Sequence, residues 1–417
     1  MVAVSLWVCA LAVVADEHAT QPEEETQGEK MEEMGTSADQ VGQALEETLE
    51  EKKALFGSLG TERGRQGWTN FQHRLDEKLG LRLGVFYNSL VQYATEATGD
   101  PLASSGEFQM KGRLRLWGRD SGNLGFVDLQ IRNRHRYSDI PPSVLGQSIG
   151  SLWPTVRGFN NSGWQVPDFY YEQYLLDQRF AFRAGQTRID NLFDSHALRS
   201  ARLFFLNSAF SDNPAVAFPS FGPGLAVNVR PFDELEIMLG IQDSDARELE
   251  GVADSIFRRD NFFTAAQVAW TRKWEVRGET MVQAMYWHTD GTSDSQTPSG
   301  NGISALVQHR FTDRTTAFAR YSYSASAATL AEQMISSGMG WTPPRRTDDL
   351  AGGAFAWGRP SNGRLRDQYV AELFYRLQVT QHPSLPTTWT KRQEPSPMNI
   401  IARNPIPKQP GLRTRSQ

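Results

Sequence analysis

Residues 108–119 read FQMKGRLRLWGR, and their alternation decides the fold. Phe108, Met110, Gly112, Leu114, Leu116 and Gly118 form one set; Gln109, Lys111, Arg113, Arg115, Trp117 and Arg119 form the other. Successive side chains of a strand point to opposite faces, so a strand separates the two sets, whereas a helix would interleave them. The pattern recurs at 235–242, where Leu235, Ile237, Leu239 and Ile241 oppose Glu236 and Gln242. It recurs again at 366–380, where Tyr369, Ala371, Leu373, Tyr375, Leu377 and Val379 oppose Gln368, Glu372, Arg376 and Gln378.

Extending this reading outward predicts fourteen strands, at 81–94, 106–119, 124–137, 166–176, 179–188, 223–230, 235–242, 261–272, 275–289, 302–311, 314–324, 333–342, 349–358 and 366–380. Most approach the roughly 9–11 residues a tilted strand needs to cross a bilayer. Long and short connections alternate, the contrast fading only over the last three, and the third long one, 189–222, is the longest. The short ones have tight-turn chemistry, as in Asp120-Ser121-Gly122-Asn123 and Pro231-Phe232-Asp233-Glu234. An antiparallel meander with all long loops on one side is the pattern of a transmembrane β-barrel; a soluble sandwich has no reason to sort its loops. Aromatics in or near strand ends, among them Phe86, Tyr87, Phe169, Tyr171, Tyr286, Trp287, Tyr321, Tyr323, Trp357 and Tyr375, fit interfacial girdles. The expected fold is therefore all-β: a transmembrane antiparallel barrel over 67–382, with about fourteen strands readable.

Composition alone conceals this. The chain has 417 residues, a formal charge of −5, a pI near 5.9, one Cys and a 39% hydrophobic share. The acidic balance argues against a nucleic-acid partner. One Cys excludes an internal disulfide framework and a Cys-clustered metal site. The longest apolar run, residues 1–15, is shorter than the roughly 18 residues of a spanning helix; ending in Val13-Val14-Ala15, it reads as an export signal peptide. Residues 16–66 read as an acidic arm, helical over about 38–56 and disordered before it, and placed in the periplasm. A solvated spacer is the favoured reading of this arm, and an oligomerisation helix the alternative. Residues 383–417 are Pro-rich and basic. With −10 over 16–53 and +5 in the tail, the whole-chain charge leaves 54–382 neutral.

Three blocks are specific: RNRHRYSDIPPSVLGQSIGSLWPTVRGF (132–159), YYEQYLLDQRFAFRAGQTRIDNLFD (170–194) continuing into FLNSAFSDNPAVAFPSFGPG (205–224), and LRDQYVAELFYRLQVTQ (365–381). Over roughly 54–381 the chain resembles the carbohydrate-selective porin (OprB) family of Gram-negative outer membranes. The resemblance implies sixteen strands, a third long loop folded into the pore, sugars as transported solutes, outer-membrane lipid as surroundings and the barrel-assembly machinery as a folding partner. Monomer and homo-oligomer both stay open. After Gln381 the family pattern would supply two more strands and a terminal aromatic; here the sequence has neither, and a shifted frame or degraded end is the reading.

No catalytic set is found. The seven His (18, 73, 135, 196, 288, 309 and 382) form no i, i+4 pair, no nucleophile elbow or phosphate loop occurs, and no cofactor is expected. Asp243-Ser244-Asp245 lacks the Gly and terminal Glu of a calcium loop. The chemistry lies in the inward charges. If the apolar set faces lipid, Lys111, Arg113, Arg115 and Trp117 line the pore, with Asp128, Gln130, Arg132, Arg134 and Arg136, with Asp168, Tyr170 and Glu172, and with Arg183. Arg forks donate to sugar hydroxyls and carboxylates accept from them, while Trp117, Trp153 and Trp164 offer stacking faces. The bland reading is generic lumen polarity, with Arg merely paired to carboxylates. The rival functions are a general or anion-preferring porin, a barrel enzyme and a truncated barrel that does not insert.

Overall fold

The computed structural model describes residues 3–9, 34, 37–47, 62–118, 123–245, 261–292, 297–346 and 348–379. The tail 383–417 and residues 10–33 lie outside them. Fifteen strands form one antiparallel sheet in chain order. They are β1 Ala3–Cys9, β2 Leu81–Ala94, β3 Leu102–Trp117, β4 Leu124–Arg136, β5 Gly163–Leu175, β6 Phe180–Thr187, β7 Gly222–Phe232, β8 Leu235–Asp243, β9 Phe262–Trp274, β10 Gly278–Thr289, β11 Gly300–Thr312, β12 Thr315–Ser324, β13 Ala331–Trp341, β14 Leu350–Pro360 and β15 Gln368–Arg376. The fourteen expected strands are β2–β15, with ends displaced by a few residues; β3 starts at Leu102 rather than 106. Within the apolar stretch 1–15, Ala3–Cys9 form β1, paired along β2 from Ala3↔Ala94 to Cys9↔Asn88. Its valines suit a strand, and the outer edge of β2 offers unpaired backbone groups.

Two hydrogen bonds prove the sheet is curled. In the segment 188–221 between β6 and β7, Arg202 donates to Glu107 of β3 at 2.6 Å, and Leu206 N–H donates to Glu372 of β15 at 2.7 Å. In a flat meander β3 and β15 would be about 58 Å apart, yet the four-residue step from 202 to 206 reaches at most about 14 Å. The longest connection therefore lies inside a barrel. No ladder joins β1 to β15 among the described residues.

The surface is inverted relative to a soluble domain. Leu225, Leu239, Val268, Val282, Ile303, Ile335, Phe355 and Leu373 are exposed on the outside, while Arg, Asp, Gln and Ser are buried within. This is the alternation a lipid-facing wall requires. Exposed Phe232, Trp274, Phe311 and Trp341 mark the short-turn rim, and Tyr93, Tyr137, Trp164 and Tyr369 the long-loop rim. Among the described residues no helix is long and apolar enough to cross a membrane; strands do the crossing.

Among the described residues, four α-helices and a 3-10 turn at Ile189–Asn191 complete the structure: α1 Val41–Glu47, α2 Glu62–Leu79, α3 Pro142–Ser148 and α4 Ser208–Ser211. The arm–barrel boundary expected at 66 falls within α2, which runs to the start of β2. Of the helix expected over 38–56, Val41–Glu47 is seen, and 48–56 lie outside the described residues. Of the acidic arm, the described residues Met34, Val41 and Leu45 are buried, Met34 among Phe126, Tyr174 and Phe193. Burying such apolar groups is worth about 1.5–3 kcal/mol each.

Candidate functional site

Antiparallel register places inward residues of neighbouring strands side by side, and here it pairs opposite charges. Arg113 lies opposite Asp128 and grips it with two bonds, Nε at 2.8 Å and Nη2 at 3.2 Å. Glu172 lies opposite Arg183, which grips it through Nε at 3.0 Å and Nη2 at 2.7 Å; Tyr174 donates to the other carboxylate oxygen. The guanidinium of Arg113 covers Phe126 at 4.8 Å, and that of Arg183 covers Tyr170 at 4.1 Å. These buried pairs fix the β3–β6 wall; removing one partner would strand a buried charge at a cost of about 3–5 kcal/mol.

Nearer the loops the pairing becomes asymmetric. Glu107 of β3, fully buried, accepts from Arg134, from Gln109 and from both Nε and Nη2 of Arg202. Arg132 has no such carboxylate: its Nε donates to Gln165 at 2.7 Å, and its guanidinium sits 5.4 Å from the centre of the Phe221 ring. No carboxylate lies within 4 Å of it among the described residues. Arg132 and Arg134 border a cavity of about 210 Å³ whose other walls come from 188–221 and α3's downstream loop, with Arg157, Arg188, Arg199 and Arg202 against Asp39 and Asp190. Arg157 pairs with Asp212, and Arg199 reaches Asp212 at 3.4 Å. Burial opposes the charge of Asp212, but Arg157 and Arg199 outweigh it and hold the carboxyl below its ordinary range. Asp39 is held below its range in the same way, burial being overcome by Arg202, Lys111, Arg188 and the Ser200 hydroxyl.

The segment 188–221 is carried by the opposite wall. Asp194 accepts from Arg320 at 3.0 Å, Ser304 at 2.7 Å and Asn213 at 2.6 Å, and its N–H donates to Gln267 at 2.8 Å. Ile189 and Phe193 press on Gly240, and Leu198 on Gly340, where any side chain would collide. Phe205 meets Phe210, Phe318 and Phe374. His196 stacks on Phe318 at 3.9 Å, accepts from Leu198 N–H at Nδ1 and donates from Nε2 to the Phe210 carbonyl, so it is the neutral imidazole. Burial, then Arg320 and Arg199, push its pKa well below the usual imidazole value.

The structure gathers most of the expected lining. Lys111, Arg113, Asp128, Arg132, Arg134, Glu172 and Arg183 are inward and buried. Arg115 is inward but tied at 3.1 Å to Asp76 of α2, and Arg136 lies exposed at the mouth, donating to the Asp139 carbonyl. The tryptophans are corrections. A register shift between Arg115 and Trp117 turns Trp117 outward, 51% exposed, against Tyr171 at 5.7 Å. Trp164 is also outward, 61% exposed, edge-on to Phe108. Trp153 is inside but sealed at 1% exposure against Gly358. The ring that does reach the cavity is Phe221. Sequence reading missed Glu107, although it shares the parity of Gln109 and Lys111, and missed Asp39, Arg157, Arg188, Arg199 and Arg202, whose placement depends on loop packing.

A family model described as carbohydrate-selective porin, OprB family, matches residues 114–385. The high-pH structure of Pseudomonas putida OprB aligns with a TM-score of 0.61 at 14% identity, covering 79% of this chain and 92% of that one, which shows the shared fold. The low-pH structure of Pseudomonas putida OprB also aligns (TM-score 0.45, 12% identity, 74% of this chain and 86% of that one). So does a multiply substituted variant of the Rh. blastica porin (TM-score 0.45, 12% identity, 71% and 90%). No curated protein matches the chain.

Proposed function

The chain belongs to the carbohydrate-selective porin family OprB, channels of the Gram-negative outer membrane, and we propose that it passes monosaccharides and small oligosaccharides by passive diffusion. Family and fold point to a channel rather than an enzyme. The observation that supports sugar passage is the cavity between β3–β4 and 188–221. There Arg132, buried and with no carboxylate within 4 Å among the described residues, stands beside the Arg134–Glu107–Arg202 cluster and the Phe221 ring. Guanidinium forks donate to vicinal hydroxyls, Asp190 accepts from them, and the ring offers an apolar face to a pyranose. Binding that is modest and shared among several groups lets a solute both enter and leave.

One observation favours the second reading, an anion-preferring pore: six Arg side chains border the cavity against Asp39 and Asp190. Planar-bilayer recordings separate the two. For sugar passage, glucose reduces the KCl current in a saturable way, the reversal potential in a salt gradient stays near zero, and Arg132→Gln weakens the glucose block about tenfold, the size of one lost charge-assisted hydrogen bond. A current indifferent to glucose with strong chloride preference sinks the sugar reading.

A further inference from the structure

Resting on the porin reading, we propose that the acidic arm is a built-in occupant of the pore, in which Asp39 holds a carboxylate-binding site that an acidic sugar can take over. The motive is Lys111. Its ammonium is buried in β3, and its hydrogen-bond acceptors are the backbone carbonyls of Asp39 at 3.0 Å and Gln40 at 3.4 Å. Both belong to the arm. Without the arm, that ammonium would lose both acceptors and turn to the lumen, open to another oxygen ligand.

The surrounding donors converge on the same short stretch. Arg202 binds the Asp39 carboxylate through Nη1 at 2.9 Å, and Ser200 donates to its other oxygen at 2.8 Å. Arg188 reaches the Asp39 carbonyl at 3.5 Å while its main bond goes to Asp168 at 2.9 Å. Arg183 donates to the Gln40 side chain at 2.7 Å, and Gln40 in turn donates to the Met34 carbonyl at 2.8 Å. The barrel thus offers, at one spot, a guanidinium and a hydroxyl for a carboxylate, beside an ammonium and two further guanidinium groups for neutral oxygens. A carboxylate on a ring of hydroxyls, as in a hexuronic acid, satisfies the same set. Displacement needs no chemistry, only exchange of one carboxylate for another, because every donor and its charge stay in place.

The test compares the full-length chain with Asp39→Ala and Asp39→Asn in planar bilayers, each variant first confirmed as a folded barrel by heat-modifiable migration. Either variant should conduct KCl at least twofold better than the parent, and glucuronate should block it about tenfold more tightly, because it no longer competes with Asp39. Block by glucose, which brings no carboxylate to exchange for Asp39, should tighten less than block by glucuronate. Unchanged conductance together with unchanged glucuronate block in both variants would overturn the proposal. The readings fail separately: a pore blind to glucose but showing the glucuronate effect keeps the arm's role and discards neutral-sugar selectivity.

Discussion

The two halves of the barrel wall are built for different tasks. The inner face of β3–β6 is a ladder of buried charges: Glu107, Lys111, Arg113, Asp128, Arg132, Arg134, Asp168, Glu172 and Arg183. The inner face of β8–β14 is mostly uncharged. It presents Met238, Phe263, Met285, Trp287, Leu306 and Phe318 beside Gln267, Gln283, Ser304, Ser322 and Ser336, and Arg320 is its one buried charge apart from Asp243 at the end of β8. This uncharged wall carries 188–221, through Phe318, Gly240, Gly340 and the Asp194 clamp; the charged wall faces what remains of the lumen. A narrow pore needs its loop fixed on one side and its polar groups exposed on the other, and dividing the work lets each wall be optimised alone.

The comparison breaks most severely at Arg320. Arg320→Ala leaves Asp194 and the carbonyls of Ala209 and Asp212 without their cation. The expected loss is about 3–5 kcal/mol, read as a lower unfolding temperature on heat-modifiability gels and as a larger, noisier single-channel current. A stable variant with a quiet parental current would show that the clamp does not hold the loop.

Acid should loosen the same anchor through His196. Its folded pKa is depressed, so below about pH 6.5 the unfolded chain binds the proton that the packed loop refuses. Stability is then intact above that pH and lost as pH falls, by up to about 1.4 kcal/mol per unit. The paired carboxylates Asp39 and Asp212, also depressed, add their loss only below about pH 4. Current noise should therefore rise between pH 6.5 and 5 in the parent and stay flat in His196→Phe; identical profiles would remove His196 from the account.

The smallest effect belongs to the charged half's outer rim. Arg179 and Asp233 pair at 3.0 Å at the short turns, both well exposed. Arg179→Ala should cost no more than about 1 kcal/mol and leave conductance alone. A large change there would mean that the charged wall works as one network from rim to rim.

Much of this was legible beforehand because parity is a local property. Once one residue of β3 or β4 is known to face lipid, Arg113, Asp128, Arg132 and Arg134 follow, and so should Glu107, lost only because the two faces were read from residue 108 although the strand began at 106. Parity fails where a ladder slips, as at Arg115/Trp117, and Trp117 accordingly joined the short-turn girdle. It says nothing of where a connection goes once it leaves the sheet. The inward folding of 188–221 was implied by family resemblance, but its arginines were not, and the entry of Asp39 into the lumen depends on partners 72 to 163 residues away. Trp153 illustrates the same limit: its apolar surround is assembled from Leu198, Phe205 and Ala356, none of them near it in sequence.

The contact between Lys111 and the arm has a quantitative corollary. A ligand linked to its own receptor acts at an effective concentration of about millimolar for a short link. Asp39 therefore sets a threshold: a free solute of equal intrinsic affinity begins to hold Lys111 and Arg202 only when its own concentration nears that value. The onset of flux would then track link length as much as binding strength, and the channel would respond to abundance rather than to traces.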